Sequence, residues 1–166
     1  MKIIRLLLVS VVLLFIVVGL VGALLPSHVL VSRAIDIQSS KASIIHHTNN
    51  IAHWKTWMEG MESANVINTD SLHASIAGTK IVITQITDST VVSSWTNQNS
   101  NTQISTIRFI EDLVHNITIV QWQFEQDLQW YPWEKLGSIM NDKILGPMME
   151  KNLNNLKLMV EKPINN

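Results

Sequence analysis

The chain has 166 residues, with twelve basic and thirteen acidic side chains, six tryptophans, one tyrosine and no cysteine. The lack of cysteine excludes disulfides, thiolate metal sites and a cysteine nucleophile, and the lack of a Lys/Arg cluster argues against nucleic acid as a partner. Removing the first 25 of 166 residues leaves 141, a usual size for one domain with its own core.

The first predicted element is an uncharged apolar run of twenty residues, Leu6 to Leu25, which follows Lys2 and Arg5. At about 1.5 Å per residue, a helix of this length spans roughly 30 Å, the hydrocarbon thickness of a bilayer. We therefore expect residues 1–26 to form a transmembrane anchor. The alternative is a cleaved secretory signal ending near the small Ala23, although a signal core is usually only about 7–15 residues long.

Positive charges at the start of the chain predict the orientation of this helix. Lys2 and Arg5 precede the span, and positively charged flanks favour the cytoplasmic side. Only Arg33 and Lys41 follow the span closely. The expected location is the cell membrane, with a single pass, a cytoplasmic N-terminus and one domain of residues 27–166 on the external or periplasmic side.

A strand and two short helices are predicted next. Residues 28–37 alternate at period two, as a half-buried strand does. Ser39 or Ser40 can cap a helix, which Asn49-Asn50 ends. Residues 51–57 are expected to form a second short helical turn.

The middle of the chain is predicted to be mostly strand. Residues 58–70 have little pattern and predict a loop with a weak strand near 64–68. Turn signals about ten residues apart then indicate an antiparallel meander. The predicted strands of this meander are 80–87, 90–98, 102–111 and 116–126. The last of them alternates polar and apolar residues, which predicts one wet face and one covered face.

The end of the chain is predicted to be a long amphipathic helix. Its apolar residues recur every three to five positions, at Leu136, Met140, Ile144, Met148, Leu153, Leu156 and Val160. Gly146-Pro147 predicts a kink or short break. Because such a stripe must be buried, we expect an α+β fold in which a curved antiparallel sheet of six to seven strands wraps around this helix and leaves a cavity.

Three stretches carry a family resemblance: residues 31–45, the Trp-x-x-Trp segment within 51–57, and Trp130-Tyr131-Pro132-Trp133 together with 146–157. They resemble the opening strand and helix, the tryptophan segment and the closing helix of the SRPBCC superfamily. These are the START-like or helix-grip proteins, and the likeness is greatest to their bacterial polyketide cyclase-like branch. It covers residues 28–162 and implies a helix-grip fold. An N-terminal membrane span also occurs in that branch.

Aromatic side chains dominate the predicted ligand site, since aromatic-lined pockets are the usual design for apolar ligands. Core packing is the alternative for each, and the dominant one for Trp122. The candidate ligand-binding residues, which share the predicted cavity or its rim, are Trp54, Trp57, Trp95, Phe109, Trp122, Phe124, Trp130, Trp133, Met140, Met148 and Arg33.

Few residues point to catalysis or metal binding. Arg33, on the apolar side of its strand, needs a carboxylate or an anionic ligand group if it is buried, or else it reaches water at the strand edge. His46, His47 and His53 lie close together without an acidic neighbour, so we expect no metal. No nucleophile elbow or phosphate loop occurs. We predict no catalytic residue and no cofactor.

Three functions remain open. The first is membrane-tethered binding of a hydrophobic or amphipathic small molecule, such as a lipid or polyketide-like compound, between the sheet and the last helix. The second is a cyclase- or hydrolase-like enzyme, which the family resemblance alone implies. The third is an interaction module whose cavity is filled by side chains. It is favoured by the six tryptophans and by a short middle where Gly78 replaces the glycine-rich stretch common in the branch.

Overall fold

The structure, a computed structural model, describes residues 2–24, 26–63, 65–128, 131, 135 and 141–161. It confirms the α+β class. The elements in chain order are α1 (Lys2–Leu24), β1 (His28–Ile37), α2 (Lys41–Thr48), α3 (Ile51–Trp54), β2 (Val66–Asn68), β3 (His73–Ile76), β4 (Thr79–Ile86), β5 (Thr90–Thr96), β6 (Thr102–Asp112), β7 (Ile117–Asp127) and α4 (Asn141–Val160).

Helix α1 stands apart from the rest of the chain, because its side chains are exposed along nearly the whole length and only Gly22 is buried. Its 23 residues are long and apolar enough to cross a bilayer. A signal sequence near an N-terminus has the same length and composition. The helix is therefore compatible with either a membrane span or a signal.

The seven strands form one antiparallel sheet in the order β1-β7-β6-β5-β4-β3-β2. Strands β2 to β7 follow one another as a meander, as the turn signals predict. Strand β1 pairs with β7, so that His28 lies opposite Asp127 and Ile37 opposite Thr118. The two ends of the strand series, β1 and β2, therefore form the free edges.

Strand β3 is not among the individually predicted strands, because its four residues are too few to show an alternation. Its position is fixed by a two-residue turn in which Ala77 has φ 48° and Gly78 has φ 84°. Two positive φ angles are the hallmark of the tight type I′ hairpin, whose twist matches that of the flanking strands. Ile76 and Thr79 pair directly across this turn.

The concave face of the sheet carries the core. In β7, Val120, Trp122 and Phe124 are buried while their neighbours are only half-buried, which confirms the predicted alternation. Ile107 and Phe109 of β6 are buried beside them. Helices α2, α3 and α4 cover this face, as a helix-grip fold requires.

Local signals place the two short helices. The Ser40 side chain accepts a hydrogen bond from the Ser43 backbone N–H, 3.4 Å away, and so caps α2. Asn49 ends α2, and the Asn50 side chain accepts a bond from the Ala52 N–H at 2.9 Å to start α3. Short polar side chains are favoured at such caps because they satisfy backbone donors left free at a helix start.

Helix α4 continues without a break through Pro147, so the predicted short break is absent and the alternative, a kink, stays a prediction. The C-terminal part of the predicted apolar stripe is confirmed, because Leu153 and Leu156 are buried. Its earlier part is displaced, because Ile144 is 65% exposed and Met149 is fully buried. At 3.6 residues per turn, adjacent positions point about 100° apart, so Leu145, four residues before Met149, belongs to the covered face and Ile144 does not.

Candidate functional site

Five of the predicted site residues form one aromatic cluster on the concave face, defined by Trp54, Trp57, Trp95, Trp122 and Phe124. Each ring contacts the next in a closed circuit, with neighbouring ring centroids 5.4–6.3 Å apart. Trp54 and Trp95 stack almost parallel, at an interplanar angle of 13°. Edge and stacked contacts at such separations are favourable beyond simple burial.

The chain itself satisfies the indole N–H groups of this cluster. Trp54 Nε1 donates to the Thr48 carbonyl at 2.8 Å, and Trp57 Nε1 to the His47 carbonyl at 3.0 Å. Trp122 and Trp95 donate to the hydroxyl oxygens of serines on the sheet. A ligand that reaches the cluster would therefore meet a ring face rather than a free indole N–H group.

One end of the cluster opens into a mouth pocket of about 200 Å³. Its lining residues lie at the end of the sheet where β1 begins or in the adjacent β5–β6 turn. They are Thr79, Trp95, Asn97, Asn101, Gln103 and Gln126. Trp95 is half-buried, unlike the other four rings of the cluster. Gln103 Nε2 donates to Gln126 Oε1 at 2.9 Å. The pocket thus combines one aromatic face with a pair of uncharged amides.

The adjoining space between the sheet and α4 is nearly filled. Val31, Phe124 and Leu145 are among the residues that line a void of only about 10 Å³, which adjoins the mouth pocket at Gln103 and Gln126. A site needs roughly 10–15 Å³ to hold even one water molecule. This void therefore leaves no room for a ligand where Leu145 meets the sheet, whereas the mouth pocket beside it has about 200 Å³.

A larger groove of about 480 Å³ lies outside the concave face, between β1 and α4. Ile35 and Pro147 line it together with Glu150 and Lys151. Within the part of the chain that the structure describes, no aromatic ring lines this groove, and it is more open to solvent than the mouth pocket. We therefore place the candidate site at the mouth pocket.

Two further predicted site residues lie apart from the mouth pocket. Phe109 is buried farther along β6, and Met148 is half-buried on α4. Trp130, Trp133 and Met140 lie outside the described residues. A ligand-binding role for each of them stays a prediction.

Arg33 binds two carboxylates of α4. Its Nε donates to Glu150 Oε1 at 2.6 Å, its Nη2 to Asp142 Oδ1 at 3.0 Å, and its side chain is 26% exposed. Hydrogen bonds to Glu150 and Asp142 raise the pKa of Arg33. The sequence left Arg33 with a carboxylate, an anionic ligand group or water as its partner, and the structure shows two carboxylates. These ion pairs hold the N-terminal half of α4 against β1.

Three imidazoles meet where α2 joins α3. The ring centroids of His46, His47 and His53 lie 4.9–6.2 Å apart, and His53 Nδ1 is 2.8 Å from the His46 carbonyl oxygen. Burial and the neighbouring imidazoles lower the pKa of His47. Within the part of the chain that the structure describes, no three His, Asp or Glu side chains are arranged to hold a metal ion.

Sequence reasoning missed the polar residues of the site. Gln126 follows Phe124 at the strand period of two, and Gln103 precedes Ser105 in the same way. That alternation was the available signal, because it places both amides on the covered face. Asn152, a buried polar residue outside the mouth pocket, had no alternation or other sequence signal. It is fully buried on α4 and accepts a bond from the Glu59 N–H at 2.9 Å.

Comparisons with known proteins give a fold but no close relative. No protein-family model and no curated protein matches the chain. The di-domain ARO/CYC protein BexL of the BE-7585A biosynthetic pathway has a TM-score of 0.62 and 11% identity, over 82% of this chain and 51% of BexL, so the chain spans about half of that protein. Truncated norcoclaurine synthase from Thalictrum flavum has a TM-score of 0.61 and 9% identity, over 82% and 95% of the two chains.

A protein of known structure from Nitrosospira multiformis matches over 81% of this chain and 97% of its own, with a TM-score of 0.62 and 7% identity. Identities this low establish a common fold only. With the sheet order and the covering helices, these similarities show that the chain has the helix-grip, SRPBCC-like fold.

Proposed function

We propose that the chain binds a small amphipathic molecule in the mouth pocket, and that α1 tethers it to a membrane. The observation that carries the proposal is the composition of the pocket, in which the face of Trp95 meets the amide pair of Gln103 and Gln126. Apolar ligand surface that leaves water for the indole face contributes roughly 25 cal/mol per Å² before the costs of ordering. The amides orient the polar end of the ligand by hydrogen bonds.

The fold and the size of the pocket support this proposal. The neighbours in fold include proteins of two named biosynthetic pathways and a synthase, which associates the helix-grip surface with small organic molecules. A volume of about 200 Å³ lies below the roughly 300–1,000 Å³ of ordinary ligand pockets. The proposed ligand is therefore small, or places only one end in the pocket. None of the described residues that line the pocket is charged, which favours an uncharged polar group at that end.

Native mass spectrometry tests this function. The full chain is extracted from cell membranes in mild detergent, and we expect it to retain a bound apolar mass. Trp95→Ala and Gln103→Ala each remove one kind of contact. A loss of about 1.4 kcal/mol of binding free energy corresponds to tenfold weaker binding, so both variants are expected to retain far less.

Leu113→Ala is the matched control, because Leu113 is 87% exposed in the β6–β7 turn at the opposite end of the sheet. It is expected to retain the mass as the unaltered chain does. Tryptophan fluorescence during urea unfolding verifies that each variant is folded. Equal retention by all three variants would contradict the proposed site.

A second candidate is an interaction module without a small ligand. The observation that favours it is the void of about 10 Å³ between the sheet and α4, which side chains have nearly filled. The same experiment separates the two candidates, because this one requires the unaltered chain to emerge from membranes with no bound mass.

A further inference from the structure

The strand register places the mouth pocket at the end of the sheet where β1 begins. Val29, the second residue of β1, lies opposite Gln126, and Trp95 lies opposite Gln103 on the neighbouring pair of strands. These residues form the first row of the concave face counted from the start of β1. The pocket is therefore bordered by the segment through which the chain enters the sheet.

That segment ties the pocket closely to α1. Helix α1 ends at Leu24 and β1 begins at His28, and four residue steps reach at most about 14 Å. The Leu128 N–H donates to the Ser27 carbonyl at 2.7 Å, which extends the β1–β7 pairing still closer to α1. The connection is too short to allow the opposite end of the sheet, instead of the end where β1 begins, to lie beside the end of α1.

A side-chain contact also holds the end of α1. Lys135 Nζ donates to the Gly22 carbonyl at 3.0 Å, in a buried contact with the last turn of the helix. The last carbonyls of a helix lack intrahelical partners, and a lysine there satisfies one of them and complements the helix dipole. The end of α1 is thus bonded to the domain as well as linked to it by the chain.

The opposite end of the sheet lies far from the start of β1, where the chain leaves α1. Helix α4 finishes there, where Glu161 Oε1 accepts a bond from the Gln38 N–H at 2.7 Å just beyond the end of β1. The β6–β7 turn lies at the same end, with Leu113 and Val114 each 87% exposed. At about 3.3 Å per residue, the eleven residues of β6 separate the two ends by roughly 33 Å.

We infer that the mouth pocket faces the bilayer that holds α1, so that its ligand passes directly between the lipid and the pocket. This inference rests on the proposed function and on α1 being retained as a membrane span. The rim suits the headgroup zone, because Thr79, Asn97 and Asn101 are uncharged and can bond to headgroups or interfacial water. An apolar ligand that moves by this route avoids the cost of exposing its surface to bulk water.

The absence of cysteine from the chain allows a direct test of this orientation. Asn99→Cys labels the β5–β6 turn beside the pocket, and Val114→Cys labels the far turn as the matched control. Both positions are exposed. Each variant receives one environment-sensitive fluorophore and is reconstituted into phosphatidylcholine vesicles that contain lipids with a nitroxide on the headgroup. We expect several-fold stronger quenching at position 99 than at position 114.

Two outcomes would overturn the inference: equal quenching at the two positions, or stronger quenching at position 114. A third variant, with a flexible Gly/Ser segment of about twenty residues inserted between Pro26 and Ser27, removes the geometric restraint. In this variant the quenching at position 99 is expected to fall toward that at position 114. Persistence of the full difference would show that the short link does not set the orientation.

Native mass spectrometry of the same proteins separates this inference from the proposed function. A retained mass together with equal quenching leaves the binding function intact and refutes the orientation. Unequal quenching without any retained mass supports the orientation of the domain and refutes the binding function, and with it the ligand route.

Discussion

Arg33 and Gly146 determine how closely α4 approaches the sheet. The guanidinium of Arg33 passes over Gly146 on its way to Glu150 and Asp142, and a Cβ added at position 146 would collide with it. Glycine in a helix interior normally costs about 1 kcal/mol relative to alanine. Here the missing side chain leaves room for an ion pair between two distant elements.

A double-mutant cycle tests this pairing of residues. Gly146→Ala alone is expected to yield none of the usual helix stabilisation, because its methyl group displaces the guanidinium from its carboxylates. In an Arg33→Ala background, the same change is expected to stabilise the chain by about 1 kcal/mol. Urea unfolding of the four proteins measures both effects. Equal stabilisation in the two backgrounds would refute the coupling.

Single residues also show which parts of the site were predictable. The aromatic cluster was foreseeable, because large apolar side chains at strand and helix periods must be buried somewhere. The partners of Arg33 were not, because Asp142 and Glu150 lie 109 and 117 positions away along the chain. A pattern within a short window of sequence contains no information about contacts at such separations.

At the scale of elements, the α2–α3 pair contains one histidine, His47, whose protonation opposes folding. The pKa of His47 is lowered from its ordinary 6.5 by burial first, and then by His46 and His53. The unfolded chain therefore binds this proton more readily than the folded chain. By linkage, the free energy of unfolding falls as the pH drops through 6.5, and the loss is complete below the folded-state pKa of His47.

Replacing His47 tests whether protonation of its side chain lowers the free energy of unfolding. The unaltered chain is expected to be less stable to urea at about pH 5.5 than at about pH 7.5, in the range where histidine titrates. His47→Gln is expected to reduce that difference. His28→Gln is the control, since His28 pairs with the exposed Asp127 outside the α2–α3 pair and such surface pairs contribute little. A pH dependence unchanged by His47→Gln would contradict this account.

Element boundaries were predictable where their signals are local. The caps at Ser40 and Asn50 use side chains within three residues of the donors that they satisfy, so α2 and α3 followed from the sequence. Strand β1 was predicted with its observed limits for a similar reason, since ten residues show a clear alternation. The earlier part of the buried face of α4, at Ile144, was misassigned because steps of three to five residues admit more than one stripe, and packing against the sheet selects among them.

At the scale of the whole molecule, we propose that residues 27–166 form one domain that folds without α1. Among the described residues, the Lys135–Gly22 bond joins α1 to the remainder, while the buried core is drawn from β1 onward. A variant that lacks residues 1–26 is expected to unfold cooperatively in urea. The loss of the Lys135–Gly22 hydrogen bond is expected to contribute about 0.5–1.5 kcal/mol to the decrease in stability.

Tryptophan fluorescence monitors this unfolding, and sedimentation with vesicles measures membrane association. The shortened chain is expected to remain in the supernatant, whereas the full chain sediments. A shortened chain that aggregates, or that unfolds without a cooperative transition, would contradict the proposed domain boundary.

The pairing of the first strand with the last affects how the chain folds during synthesis. His28 lies opposite Asp127, 99 positions later, so β1 leaves the ribosome long before its partner exists. Contacts of such high sequence separation slow folding, and an unpaired edge can recruit strands from other chains. The sheet can therefore be completed only after β7 has been synthesised, and until then β1 keeps an unpaired edge that other strands could join.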